Sequence, residues 1–172
     1  MNTQTKLLPV KPFQETLGGG YCGPASLRLV LDYYGINKNE EELSLMCNRD
    51  TDSGVDDEAI KKAAENLGLK VEIKNNASFL NIEKWLDRQV PVIVNWFTRG
   101  RYDYPEDDVA DGHYSVVVGL DEQYIYLQDP EVGRVRKINR EDFYRVWFDF
   151  LTDHITRWED MIVRQLIAIY RQ

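Results

Sequence analysis

The stretch Phe13–Gly35 reads FQETLGGGYCGPASLRLVLDYYG. After Gly23-Pro24, apolar residues recur at Leu27, Val30, Leu31 and Tyr34, which is one face of an α-helix. Proline in a first helical turn sacrifices no hydrogen bond, because the amides there have no intrahelical acceptor, and Gly35 offers a left-handed exit. The spacing predicts a buried helix whose N-terminus lies at Cys22. A thiol placed there meets unpaired N–H groups and the positive end of the aligned peptide dipoles, both of which favour the thiolate. The thiolate is the nucleophile and a free thiol titrates near about 8.5, so Cys22 is a candidate catalytic nucleophile.

Moving outward, Asn39 is placed to cap a second helix through Glu40–Glu42, with Leu43, Met46 and Cys47 on its buried side. A third helix is predicted from about Asp56 to Leu67, stopped by Gly68, and a short strand follows at Val71–Ile73. Asn81 is read as the cap of a fourth helix carrying Ile82, Trp85 and Leu86. The second half changes character. Pro91–Phe97 (PVIVNWF) is a nearly unbroken apolar run and reads as a central strand. Strands are expected at His113–Leu120, Gln123–Gln128 and roughly Gly133–Ile138, with turns at Asp121-Glu122 and Asp129-Pro130. Asn139 is read as capping a helix bearing Phe143, Val146, Trp147 and Phe150. The tail is read as a helix through Trp158, Met161 and Ile162, then a closing strand at Leu166–Tyr170. Helices first and an antiparallel sheet second give an α+β fold, expected as one domain over residues 1–172.

Bulk properties narrow the function. A 43% hydrophobic and 12% aromatic composition is that of a folded protein. The net charge of −8 argues against nucleic acid as a partner, which requires a basic face, and against an anionic membrane surface. No apolar run reaches the length of a signal-peptide core or a membrane span. The expectation is a cytoplasmic protein with both cysteines, Cys22 and Cys47, reduced.

A nucleophilic cysteine needs a base, and the chain has 2 histidines. His113 stands where the acidic loop Asp103–Asp111 enters the apolar strand SVVVGL, at a strand end that can face a cleft. His154 falls in a polar segment and reads as solvated. An imidazole base needs an acceptor on its other nitrogen to hold tautomer and orientation. Asp129 ends the next strand; His113 and Asp129 are equidistant from a turn centred near residue 121, which makes them rough cross-strand neighbours. Gln14 is placed to donate its amide to a developing oxyanion together with the Cys22 N–H. Each residue alone has a plainer reading: a buried thiol, a satisfied strand-end histidine, an ordinary Asp-Pro turn.

Together the segments FQETLGGGYCGPASLRLVLDYYG and DGHYSVVVGLDEQYIYLQDP resemble the C39 branch of papain-like cysteine peptidases. SGVDDEAIKKAAENLGLKVEI and PVIVNWF resemble that family's intervening helix, strand and central strand, so the resemblance spans about residues 9–150. It implies a papain-like fold, an N-terminal helical part packed on a C-terminal antiparallel sheet. It also implies Cys22 as nucleophile, His113 as base, Asp129 as its orienter and Gln14 as the oxyanion-hole residue. Two departures stand out. The gap from Gln14 to Cys22 is longer than in transporter-linked members, stretched by Gly18–Gly20. Those members are also parts of exporters that cleave after a Gly-Gly pair, whereas this chain looks like the free-standing kind.

The expected activity is hydrolysis of a peptide or isopeptide bond in a peptide or protein substrate, through a thioester and with no cofactor or metal. The same thioester could serve an acyltransferase or amidase, and the fold could serve a peptide-binding module without turnover. LGGGYCG lacks the Lys-Ser/Thr of a phosphate loop. Asp50, Asp52 and Asp56 resemble a calcium loop, but Val55 stands where glycine is required. Cys22 and Cys47 have no zinc spacing. The loop Asp103–Asp111 is a candidate lid and a hint of a basic substrate, though a solvated loop is the simpler reading.

Overall fold

The computed structural model describes residues 5, 7–98, 112–150 and 155–171. The acidic loop Asp103–Asp111 and His154 lie outside the described residues.

The helices are α1 (Cys22–Tyr33), α2 (Glu40–Met46), α3 (Asp57–Asn66), α4 (Phe79–Asp87) and α5 (Arg140–Val146). The strands are β1 (Lys70–Lys74), β2 (Val92–Phe97), β3 (Gly112–Leu120), β4 (Tyr124–Asp129), β5 (Arg134–Asn139), β6 (Phe148–Phe150), β7 (Met161–Val163) and β8 (Leu166–Tyr170). Among the described residues, six strands make one antiparallel sheet in the order β1-β8-β2-β3-β4-β5, and β6 and β7 make a separate antiparallel pair. This is an α+β architecture.

Strand alternation divides the core into two layers. Ile93, Val116, Ile167 and Ile169 face a layer with Leu27, Leu31, Leu43 and Ile60 of α1 to α3. Val92, Val94, Trp96, Val117, Ile125 and Leu127 face a second layer with Ile82 and Trp85 of α4 and Phe143 of α5. Helices therefore cover both faces, and the runs Val92–Val94 and Val116–Val118 are apolar throughout because neither face meets water. Phe143 and Trp147 are fully buried, and burying side chains of this size contributes about 2–3 kcal/mol each.

Three local expectations are corrected. The cap of α4 is Ser78, whose N–H and hydroxyl both donate to Asn81 Oδ1 (3.0 and 3.1 Å); Asn81 is the third residue of the helix, the far half of a capping box. The helix after Asn139 ends at Val146, and Phe148–Phe150 leaves it to pair with Met161–Val163. The tail helix is a single 3₁₀ turn, Trp158–Asp160, because pairing with β6 overrides the helical spacing of Trp158, Met161 and Ile162. In the Asp50 loop, Asp50 Oδ1 accepts from the amides of Asp52 and Ser53 (2.9 and 2.8 Å) and from the Ser53 hydroxyl (3.0 Å). Among the described residues, no helix is long and apolar enough to cross a membrane.

Candidate active site

Cys22 is the first residue of α1, half-buried and a free thiol. The first intrahelical hydrogen bond is Ala25 N–H to the Tyr21 carbonyl at 2.9 Å. The amides of Cys22 and Gly23 stand ahead of the ladder, and Pro24 has none to lose. Gly23 is required by packing: a Cβ there would stand 2.1 Å from Val55 Cγ2. The preceding glycines Gly18, Gly19 and Gly20 all have positive φ (79°, 75° and 71°), so the loop reverses sharply just before the thiol.

His113, 6% exposed, is the second residue of β3 and pairs across the sheet with Trp96 of β2. The Trp96 ring meets the imidazole edge-on at 5.9 Å between centroids and anchors its own Nε1–H on Ser115 Oγ at 3.0 Å. His113 Nε2 lies 2.7 Å from Asp129 Oδ1, and Asp129 has no exposed surface. With Nε2 engaged, Nδ1 is the nitrogen left for the Cys22 sulfur. Burial alone would push the imidazole below its usual value. The charge and hydrogen bond of Asp129, joined by hydrogen-bonding and Coulombic contributions from Cys22, outweigh it, and the pKa rises well above 6.5.

The hairpin geometry behind this contact differs from the symmetric one expected. The turn is closed by Asp121 N–H on the Tyr124 carbonyl (3.0 Å), and the ladder shifts between Val117 and Gly119. Val116 pairs with Gln128, so the continued ladder sets Asp129 opposite Ser115 and diagonal to His113. The shift is an even number of residues, which keeps both side chains on one face of the sheet.

Gln14 lies against the turn that follows Asp129. It is exposed, and its Nε2–H donates to the Glu131 carbonyl at 3.2 Å, while the next amide, Glu15 N–H, donates to the Pro130 carbonyl at 2.8 Å. These two bonds lay the segment along the turn that follows Asp129.

Two participants were missed by sequence reasoning. Arg136 of β5 donates from Nε to Asp129 Oδ2 and from NH2 to Glu131 Oε2 (3.4 Å). Counting back in twos from Ile138 puts a cation on the inward face of β5, and that signal was available. Glu15 gave no such signal. Its Oε2 is buried without a hydrogen-bond partner, and burial pushes the carboxyl up to about 7. Asp129, Glu131 and Glu40 raise it further, while His113 opposes them. Gln14, Glu15, Thr16 and Tyr21 border a cleft of about 760 Å³ whose far wall is α2.

Ligand atoms of His113, Asp129 and Glu131 lie within 4.8 Å of one another. Asp129 is engaged by His113, the Glu131 N–H at 3.0 Å and Arg136, whose guanidinium supplies positive charge beside the carboxylate. The donor set suits proton handling.

Comparison with known proteins gives a consistent picture. The model of the Peptidase_C39 like family matches residues 4–152. The lactococcin transport/processing ATP-binding protein LcnC-like of Lactococcus lactis subsp. lactis is 28% identical over 128 residues, covering 73% of this chain and 16% of that protein. The chain thus matches about a sixth of that relative's length. In fold, the crystal structure of the peptidase domain of Streptococcus ComA, a bi-functional ABC transporter, superposes with a TM-score of 0.70 at 21% identity, over 95% of this chain and 99% of that one. The double glycine motif protease from an AMS/PCAT transporter, solved with its leader peptide, gives 0.64 at 21% identity, over 99% and 100%.

Proposed function

Because this chain belongs to the Peptidase_C39 like family, we propose that it is a cysteine peptidase that hydrolyses a peptide or isopeptide bond through a thioester on Cys22. The observation that carries the reading is the buried pair His113 Nε2–Asp129 Oδ1 at 2.7 Å, with the imidazole held well above its usual pKa and Cys22 among its causes. A raised imidazole pKa favours the imidazolium, which is the partner a thiolate needs.

The Cys22 thiolate attacks the carbonyl carbon, and the oxygen takes the negative charge. The amide of Cys22, ahead of the α1 ladder, is one donor to that oxygen. Gln14 is the second: its amide has a further N–H beyond the one given to Glu131, and it flanks the group on the turn carrying Asp129. His113 gives its proton to the nitrogen as the C–N bond breaks and the amine leaves. It then takes a proton from a water that attacks the thioester; the C–S bond breaks, the acid is released, and the thiolate and imidazolium are restored. Asp129 holds the ring through both steps. The substrate is a peptide or protein chain, as in the AMS/PCAT protease solved with a leader peptide, and the cleft beside Gln14 and Tyr21 is its proposed seat. One domain, residues 1–172, carries the whole reaction.

Iodoacetamide alkylation of Cys22 across pH tests the ion pair. The rate should already be high at pH 6–7 and fall in His113→Ala. A profile following an ordinary thiol near about 8.5 would remove the activated thiolate. Cys22→Ala should abolish cleavage of peptide libraries.

A further inference from the structure

We propose that Arg136 is a positioning residue of this site, one that holds Asp129 in the plane His113 requires; the inference rests on the peptidase reading for what the imidazole does, and on geometry alone for how it is held. Asp129 sits at the end of β4 with no exposed surface. Its Oδ1 is shared by His113 Nε2 at 2.7 Å and the Glu131 N–H at 3.0 Å, and its Oδ2 receives Arg136 Nε. A carboxylate with both oxygens engaged by separate partners cannot turn about its Cβ–Cγ bond without breaking a bond on one side. The ring it carries is then fixed in tautomer and direction.

The sheet supplies this geometry. Arg134 pairs with Asp129 and Arg136 with Leu127, so Arg136 lies on the Asp129 face, one diagonal step along β5. It is 9% exposed. A guanidinium taken out of water to that extent requires charged partners, and Glu131 Oε2 at 3.4 Å is a second one besides Asp129. Lysine would not replace it, since a point charge lacks the planar fork that fixes an oxygen in direction.

The measurement is made on the resting full-length protein, so that it does not depend on turnover. In ¹H–¹⁵N NMR the His113 Nε2–H held by Asp129 should give a far-downfield proton signal, absent in Asp129→Asn. In Arg136→Gln that signal should be lost or moved upfield, and alkylation of Cys22 at pH 6–7 should slow about ten- to a hundredfold, the loss seen when the outer partners of metal-bound imidazoles are removed. Arg136→Lys, which keeps the charge, should recover less than half of the lost rate. If Arg136→Gln does not fold, Arg136→Lys is measured in the same way. A folded variant of either kind with the wild-type signal and alkylation profile overturns the proposal. A wild-type protein whose alkylation is unchanged by His113→Ala overturns the peptidase reading instead, and leaves the NMR comparison intact.

Discussion

Replacing Glu15 by glutamine should stabilise the protein at neutral pH, and the size of the gain can be worked from the site. Glu15 is held in the folded state with its pKa raised from 4.5 to about 7, chiefly by burial. At about 1.4 kcal/mol per unit, that rise makes a cost of about 3 kcal/mol in the ionised state. The sign follows from proton linkage. Between pH 4.5 and 7 the folded protein keeps a proton on Glu15 that the unfolded chain releases, so this residue's contribution falls as pH rises through that window. Glutamine does not titrate and has no such slope. Urea unfolding of both proteins at pH 4.5, 5.5, 6.5 and 7.5, at one ionic strength, should show the difference moving in favour of Glu15→Gln by about 3 kcal/mol across the series. For a chain of this size that is roughly 6–12 °C in Tm. The offset at pH 4.5 absorbs any packing effect of the new amide, so the slope alone is diagnostic. His113 titrates in both proteins and cancels except for its coupling to Glu15. A pH-independent difference would refute the buried, protonated carboxyl.

Alkylation of the native protein should label Cys22 alone, because Cys47 is 1% exposed with its thiol pushed to about 12 by burial; intact mass followed by peptide mapping reads this, and Cys47 should react once urea is added. Gln14→Ala should lower kcat by two to three decades, about 3 kcal/mol, with little change in KM. A fewfold loss would leave the Cys22 amide as the principal donor. Gly20→Ala places a Cβ 2.5 Å from Gly54 Cα at φ +71°, and should cost about 1–3 kcal/mol in a denaturant melt; a change under half a kcal/mol would mean the loop yields freely.

What could be read in the sequence was local. The helix at Cys22 was legible because Gly23-Pro24, the spacing of Leu27, Val30 and Leu31, and Gly35 agree at every level. Where two signals competed, the choice needed the structure: Ser78 and Asn81 are both capping residues, and both belong to one capping box. Met161 and Ile162 fit a helix, yet β6 supplies a strand partner that no local window contains. The expected nearness of Asp129 to His113 rested on a hairpin symmetry two residues out of register, and the two side chains meet because side chains alternate with period two. Glu15 belongs to a different category. Its environment is made by Pro130, Asp129 and Glu131, which lie more than a hundred positions away.

The strand order has a consequence for how this chain comes to exist at all. β8 lies inside the sheet, between β1 and β2, and Lys70 finds its partner in Tyr170. On a ribosome, β1 and α3 would emerge and wait, with Val71 and Ile73 unpaired, until residues 166–170 arrive to bridge them to β2. Assembly is therefore keyed to the last strand of the sheet, and long-range pairing of this kind is slow. A chain interrupted short of Leu166 would hold Cys22, His113 and Asp129, yet lack the strand that joins β1 to the rest of the sheet.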